Sequence, residues 1–480
     1  MSKTKNLFKN IGFLVLSQFS IKLLSFLLLP LYTSVLSTSE YGMYDLFNTT
    51  VALLMPFLTL NIKDSTIRFA LDSTEQEDLL KVFTISLTYV FLSLIPALVM
   101  LLVNHCFLFS KSIDDFSILV FLLFLSQSLA LVVTNFVRGL DNLKEISISS
   151  VICSLTIIVL NIITLIPLEM GLYGYFVANI IGPIVQITYL FFKCKCWNYI
   201  NFKKFDKDVN CSMLAYSRPL ILNTTAWWVN SASDRYIVVL FCGTAVNGVY
   251  SVASKIPSIL DMMQNIFAQA WTLSAVKEFD PNDTDHFFSD MYNAYNMAMT
   301  IMCSVIISAS RVLAKFLYSK DFYLAWKYVP FLLVAVLFGA LSGYIGAIFS
   351  AVKDARIFAS STLIGAGVNL FCNFVLVKFY GALGAAIATA LCYWIIYTIR
   401  LQNSKKYIQM KLDIFRDYFA YVLLIVQTLL LYIFQEESFL LYFSEVGILF
   451  IIILLFNKET KKVFSMATSV KNAWKQGDRC

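Results

Sequence analysis

The stretch from Asn247 to Val276, NGVYSVASKIPSILDMMQNIFAQAWTLSAV, decides the fold. Read at 3.6 residues per turn, Ser251, Lys255, Ser258, Met262, Asn265 and Gln269 fall on one stripe, widened by Ser254 and Asp261. Val252, Ile256, Ile259, Met263 and Ile266 fall on the other. The stretch is long enough to cross a hydrocarbon core of about 30 Å. A crossing helix with one polar stripe and one apolar face points to a membrane protein with an interior, its polar side lining water or cargo.

The rest of the chain agrees. Of its 480 residues 59% are hydrophobic and 14% charged, against about 45–50% and about 25% in soluble domains. Apolar runs of about twenty residues recur throughout. The expected spans are 11–36, 44–66, 80–104, 116–138, 145–167, 172–193, 213–241, 247–276, 288–313, 327–351, 356–378, 382–402, 416–435 and 439–457. The fold class is therefore all-α, a polytopic membrane protein of about fourteen helices. The run from Ile11 to Leu36 is too long for the apolar core of a signal peptide, so no cleavable leader is expected.

Lys and Arg set the orientation. With the N-terminus in the cytoplasm, most of the 37 fall on the inner side, including Lys3, Lys5, Lys9, Lys193, Lys195, Lys203, Lys204, Lys207, Arg400, Lys405, Lys406, Lys411 and Arg416. Lys111, Arg311, Lys315, Lys320, Lys327 and Lys378 fall outside, and Lys22, Arg218, Arg235 and Lys255 lie within spans. An even span count puts both termini in the cytoplasm. The basic outer segment from Arg311 to Lys327 has no account from sequence beyond contact with an anionic cargo or headgroup.

Tyr41-Gly42-Met43-Tyr44 opens the second span, and Asn247-Gly248-Val249-Tyr250 opens the eighth, 206 residues later. Leu140-Asp141-Asn142-Leu143-Lys144 and Val352-Lys353-Asp354-Ala355-Arg356 stand 212 apart, with Asn161 and Asn373 following at the same offset. Gly171-Leu172-Tyr173-Gly174 and Gly381-Ala382-Leu383-Gly384 stand 210 apart. A duplication follows: six-helix bundles over 1–205 and 206–412 as parallel repeats, with 413–480 holding two further spans and a cytoplasmic tail.

A charge at bilayer depth costs at least about 2.5–3.5 kcal/mol, so it faces a cavity or a partner. Lys22 has Gln18 and Ser25 beside it at helical spacing, and span seven carries Arg218, Asn223, Trp227, Asn230, Asp234 and Arg235. With Lys255 and Asp261, spans one, seven and eight offer four cations and two acids, a cleft suited to an anion such as a diphosphate. The candidate cargo-binding residues are Lys22, Arg218, Asn230, Arg235, Lys255, Gln269 and Trp271. Asp234 and Asp261 are the candidates for coupling to a proton or sodium ion. Each has a plainer rival reading: snorkelling to headgroups for Arg218, structural pairing for Lys22, Asp234, Arg235 and Lys255, packing for Trp227, Trp228 and Trp271.

The ten cysteines are scattered, mostly within apolar runs, and read as small apolar side chains. With two histidines, no metal site is expected. No phosphate loop or nucleophile elbow is present, so neither catalysis nor a cofactor is expected, nor a nucleic-acid partner.

Leu28-Leu29-Pro30-Leu31-Tyr32-Thr33 with Ser39-Glu40-Tyr41-Gly42-Met43-Tyr44-Asp45 resembles the opening of Wzx-type polysaccharide flippases. So do Asp234-Arg235-Tyr236-Ile237, the run from Asn247 to Pro257, and Phe267-Ala268-Gln269-Ala270-Trp271. The resemblance implies the MOP superfamily, with its MATE-like pair of bundles and alternating access. It also implies an undecaprenyl-diphosphate-linked oligosaccharide cargo, moved to the outer leaflet of a bacterial cytoplasmic membrane for O-antigen or capsule synthesis. Polysaccharide polymerase and chain-length proteins would be its partners, membrane lipid its surroundings. It places the charged cleft residues at Lys22, Arg218, Asp234, Arg235, Lys255 and Asp261. A MATE-type drug antiporter, a lipid II flippase and a membrane glycosyltransferase or polymerase are the rivals. The first calls for an acidic cleft, and the last for a large outer loop or catalytic domain with paired acids.

Overall fold

A computed structural model of the chain describes residues 26, 28–73, 75–107, 111–352, 354–434 and 438–462. Among the described residues the regular elements are all helices. Nine of these helices are long and apolar enough to cross a membrane, and Thr38–Leu58 with Ile62–Asp72, bent by 57°, makes a tenth. Spans seven, eight and fourteen take altered forms among the described residues. Lys207–Cys242 runs for 36 residues and carries the polar side chains of span seven. Phe439–Leu455 is apolar but only 17 residues long. Of the first span, the helix Leu29–Val35 is described; Lys22, Gln18 and Ser25 lie outside the described residues.

Local chemistry explains the boundaries. Span two begins at Thr38, one turn and more before the expected start, because Ser37 and Glu40 form a reciprocal capping box there. Asp206 accepts from the backbone N–H groups of Asp208 and Val209 and so starts the long span-seven helix early. Span eight is not continuous: helices Thr244–Ala253 and Pro257–Lys277 are separated by a turn at 254–256. Pro257 cannot donate into the preceding turn, so a new helix starts with it near its N-terminus. The single polar stripe expected over 247–276 is therefore corrected to two shorter faces, with Lys255 in the turn between them.

Two compact units partition the chain. The first contains residues to Ser251 together with Tyr318–Phe322, and so includes the span-seven helix. Its apolar interior gathers Ile62, Phe83, Val133, Phe136 and Met213, with Phe83 and Phe136 stacked at 4.1 Å. Tyr318–Phe322 is held by Ser319 N–H on Thr33 Oγ1 at 3.1 Å and by Phe322 edge-on to Tyr41.

The second unit contains Val252–Leu317 and the residues from Tyr323 onward. Its central helix, Val329–Ala351, buries Leu333, Leu337, Leu341, Ile345 and Ile348. Its partner helix Ala382–Ser404 presents Ala385, Ala386 and Ala388, all fully buried. Small residues let backbones approach closely, which is how helices gain packing where lipid removes the hydrophobic driving force.

Three arginines counted as loop charges lie inside the second unit. Arg311, expected in an outer loop, is part of helix Phe287–Leu317 and 2% exposed. Its guanidinium donates to Leu431 O and Phe434 O, satisfying the last carbonyls of helix Ile414–Ile433, and lies over the Trp326 ring at 4.2 Å. The basic character of that segment at Arg311 is thus a helix cap. Arg400 binds Ser342 O, Ser361 and Thr362 Oγ1 and stacks on Phe358. Arg416 pairs with Asp417 and Glu459.

Candidate functional site

In the first unit, helix Thr38–Leu58 meets helix Lys207–Cys242 along a ladder of polar contacts. Arg235 Nε lies 2.9 Å from Asp45 Oδ2, and its Nη1 lies 3.3 Å from Asp234 Oδ1 and donates to Ser231 O at 3.0 Å. Asp234 also accepts from its neighbour's backbone N–H at 2.9 Å and from Tyr250 Oη at 2.6 Å. Deeper in helix Thr38–Leu58, Thr50 Oγ1 and Tyr236 Oη are 2.5 Å apart, Trp228 Nε1 donates to Thr49 O, and Gln127 donates to Asn48.

Two carboxylates therefore face one guanidinium. Counting two acids against four cations left out Asp45, because the expected second span began at its edge. With the helix starting at Thr38, Asp45 sits in its second turn and points at Arg235. Tyr250 was also missed. It lies in the repeated Tyr41-to-Tyr44 and Asn247-to-Tyr250 motif, and the tyrosine shared by its two copies was the signal available.

The repeated motifs pack on each other. Helix Thr38–Leu58 crosses the first half of span eight with Gly42 against Thr244 and Gly248 against Thr38. A Cβ on Gly42 would lie 1.9 Å from Thr244 O, and a Cβ on Gly248 would lie 1.9 Å from Thr38 O. Only glycine permits that approach. Asn247 Nδ2 donates to Gly42 O at 3.0 Å, and Ser39 and Thr244 hydroxyls meet at 3.0 Å.

The other expected site residues divide between the two units and differ in burial. Asn230 is buried on the span-seven helix, whereas Arg218, Asn223 and Trp227 are exposed on it. Arg218 has no hydrogen bond or ion pair among the described residues. Lys255 and Asp261 belong to the second unit and are half-buried, with Asn265 Nδ2 3.3 Å from Asp261 Oδ2. Gln269 is exposed. Trp271 is buried, donates Nε1–H to Tyr344 O at 3.0 Å and stacks on the Tyr344 ring at 4.2 Å. In this structure that indole is packed interior.

Among the described residues no group of three or more His, Cys, Asp or Glu could hold a metal ion. The site offers salt-bridged and hydrogen-bonded groups that can pair, exchange partners or take up protons; its chemistry is that of binding.

A family model described as polysaccharide biosynthesis protein matches residues 7–272. No curated protein matches the chain by sequence. Among solved structures, the lipid II flippase MurJ in an inward closed conformation superposes with a TM-score of 0.69 at 15% identity, covering 95% of this chain and 99% of that one. An inward-facing multidrug-resistance MATE transporter of the MOP superfamily gives 0.65 at 12% identity, covering 82% and 93%. A MOP-superfamily transporter from Pyrococcus furiosus gives 0.53 at 14% identity, covering 83% and 95%. These likenesses establish a shared transporter fold.

Proposed function

The chain belongs to the polysaccharide biosynthesis protein family, and from that premise we propose that it carries an undecaprenyl-diphosphate-linked oligosaccharide from the inner to the outer leaflet of a bacterial cytoplasmic membrane, for O-antigen or capsule assembly. The observation that carries this over drug export is the extent of the fold match. The likeness to the lipid II flippase takes in 95% of the chain, whereas that to the multidrug transporter stops at 82%. The difference has the size of the segment 413–480, whose helices are tied into the second unit by Arg311, Gln427 and Arg416. A match that takes in nearly the whole chain supports the flippase reading over the drug-exporter one.

The proposed cargo pairs a polyprenyl tail, left in lipid, with a diphosphate that exposed cations engage. Arg218 suits that role best on unit one, since its guanidinium is exposed and uncommitted among the described residues. Lys255, half-buried in the turn between the two halves of span eight, is a second candidate. Arg235, bound by Asp45 and Asp234, acts in this reading by exchanging partners as the helices move. A net cycle requires loaded and empty protein to favour different conformations. Asp234 and Asp261 remain the coupling candidates for a proton or sodium gradient.

The test is reconstitution of the full chain in liposomes loaded with undecaprenyl-diphosphate oligosaccharide. Transfer between leaflets is read by a membrane-impermeant glycosidase. Protein-dependent transfer that falls at least about tenfold in Arg218→Ala is the expected result, a loss of the size of one charge-assisted contact of about 1.5–3 kcal/mol. No transfer of the sugar-linked lipid, with efflux of cationic dyes instead, would transfer the protein to the drug-exporter reading.

A further inference from the structure

Helix Phe439–Leu455 carries one charged side chain, Glu445, and it is 0% exposed. It packs beside Gln427 of helix Ile414–Ile433 and Ser304 and Ser308 of helix Phe287–Leu317, all within the second unit. None of these residues belongs to the site described above.

The hydrogens in this cluster can be counted. Gln427 Nε2 donates to Ser308 Oγ at 3.1 Å and to the main-chain O of Glu445 at 3.2 Å. That main-chain oxygen can only accept, so the amide orientation is fixed. Gln427 Oε1 accepts from the Ser304 hydroxyl at 2.8 Å. The single Ser308 hydroxyl hydrogen has Ser304 O at 3.0 Å and Glu445 Oε2 at 3.4 Å, and the shorter contact takes it. Every hydrogen of the three neighbours is then used. Glu445 Oε1 has no partner among the described residues, and the one hydroxyl within reach of Oε2, that of Ser308 at 3.4 Å, is shared with the closer Ser304 O. An ionised carboxylate here would be a buried charge with one long, shared donor and one bare oxygen. A carboxylic acid instead donates from Oε2 to Ser308 Oγ and removes the buried charge.

Charged groups on the packed helices do not replace that proton. Arg311, one turn beyond Ser308, is committed to Leu431 O, Phe434 O and the Trp326 ring, and makes no ion pair with Glu445 among the described residues. Lys315, a further turn on, is exposed. On helix Ile414–Ile433 the charges are Arg416 and Asp417, about 15 Å along the axis from Gln427 and paired with each other.

We propose that Glu445 is a proton-binding site within the membrane, and that the bound proton ties the appended helices Ile414–Ile433 and Phe439–Leu455 to helix Phe287–Leu317. The site is independent of the cargo, so its test and the liposome assay fail separately. Infrared difference spectra of the full-length protein and Glu445→Gln, recorded across pH, read it directly. The wild type shows the carbonyl stretch of a protonated carboxylic acid at neutral pH, absent from Glu445→Gln. As pH is raised that band gives way to a carboxylate band, and the wild-type Tm falls over the same interval while that of Glu445→Gln does not. Should Glu445→Gln fail to accumulate, Ser308→Ala, which removes the proton's acceptor, moves the interval to lower pH. A carboxylate band already present at neutral pH overturns the proposal. So does a Tm that rises with sodium and not with protons, which makes the occupant a metal ion, or an interval unmoved in Ser308→Ala.

Discussion

At the scale of single residues, the charges of this protein divide into those bound by the fold and those left available. Arg235 holds two carboxylates at a place where its loss leaves both unpaired. Arg235→Ala is expected to cost about 3–5 kcal/mol, as breaking a buried pair does, seen as a lower Tm and less protein in the membrane. Asp45→Asn, which keeps an acceptor oxygen for the guanidinium, is expected to cost less than half as much in the same measurement. Arg218→Ala should leave Tm unchanged and show its effect in transport alone. If Arg218→Ala destabilises as much as Arg235→Ala, the two arginines share a structural role and the cargo contact at Arg218 falls. Trp271→Phe keeps the stack on Tyr344 but loses the bond to Tyr344 O, a loss of about 1 kcal/mol in unfolding.

Among elements, the crossing of helices Thr38–Leu58 and Thr244–Ala253 is the most demanding contact. Backbone meets backbone at Gly42 and Gly248, so even a methyl group has no room. In the alternating-access reading these helix starts are the external ends of spans two and eight, and their contact closes that side. Gly248→Ala is expected to push the helices apart and favour the externally open form. A cysteine at Tyr41 would then react faster with an impermeant thiol reagent in Gly248→Ala than in the parent protein. Equal rates would show that the crossing holds the two helices without gating. Elsewhere, the broken eighth span shows how one proline redirects a polar face, and the capped start of the second shows how one turn of helix brings an aspartate into a site.

For the molecule as a whole, the appended helices are integral to the second unit. Arg311 caps helix Ile414–Ile433, Gln427 takes the hydroxyl of Ser304, and Arg416 donates to Asn293 at 2.6 Å. Removing residues 413–480 strips these partners from helix Phe287–Leu317 and leaves the buried Arg311 guanidinium without its carbonyl acceptors. The truncated chain is expected not to accumulate in membranes, as an immunoblot of the membrane fraction would show. Normal accumulation would mean that the appended pair is an independent addition.

The sequence by itself determined the helical membrane fold, the approximate number and order of spans and the repeated motifs. These follow from local composition: a twenty-residue apolar run has to cross lipid, and a glycine with a tyrosine two residues later recurs visibly at a nearly constant offset. It also marked Asp234 and Arg235, because a charge in an apolar run stands out wherever it lies. Only the tertiary structure decided what each charge is for. Whether Arg311 meets cargo or carbonyls, whether Arg235 is bound or available, and whether Glu445 has a donor all depend on atoms more than a hundred residues away in sequence. Pairing is a property of distance in space, and the hydropathy of a segment carries no information about which other segment it will touch.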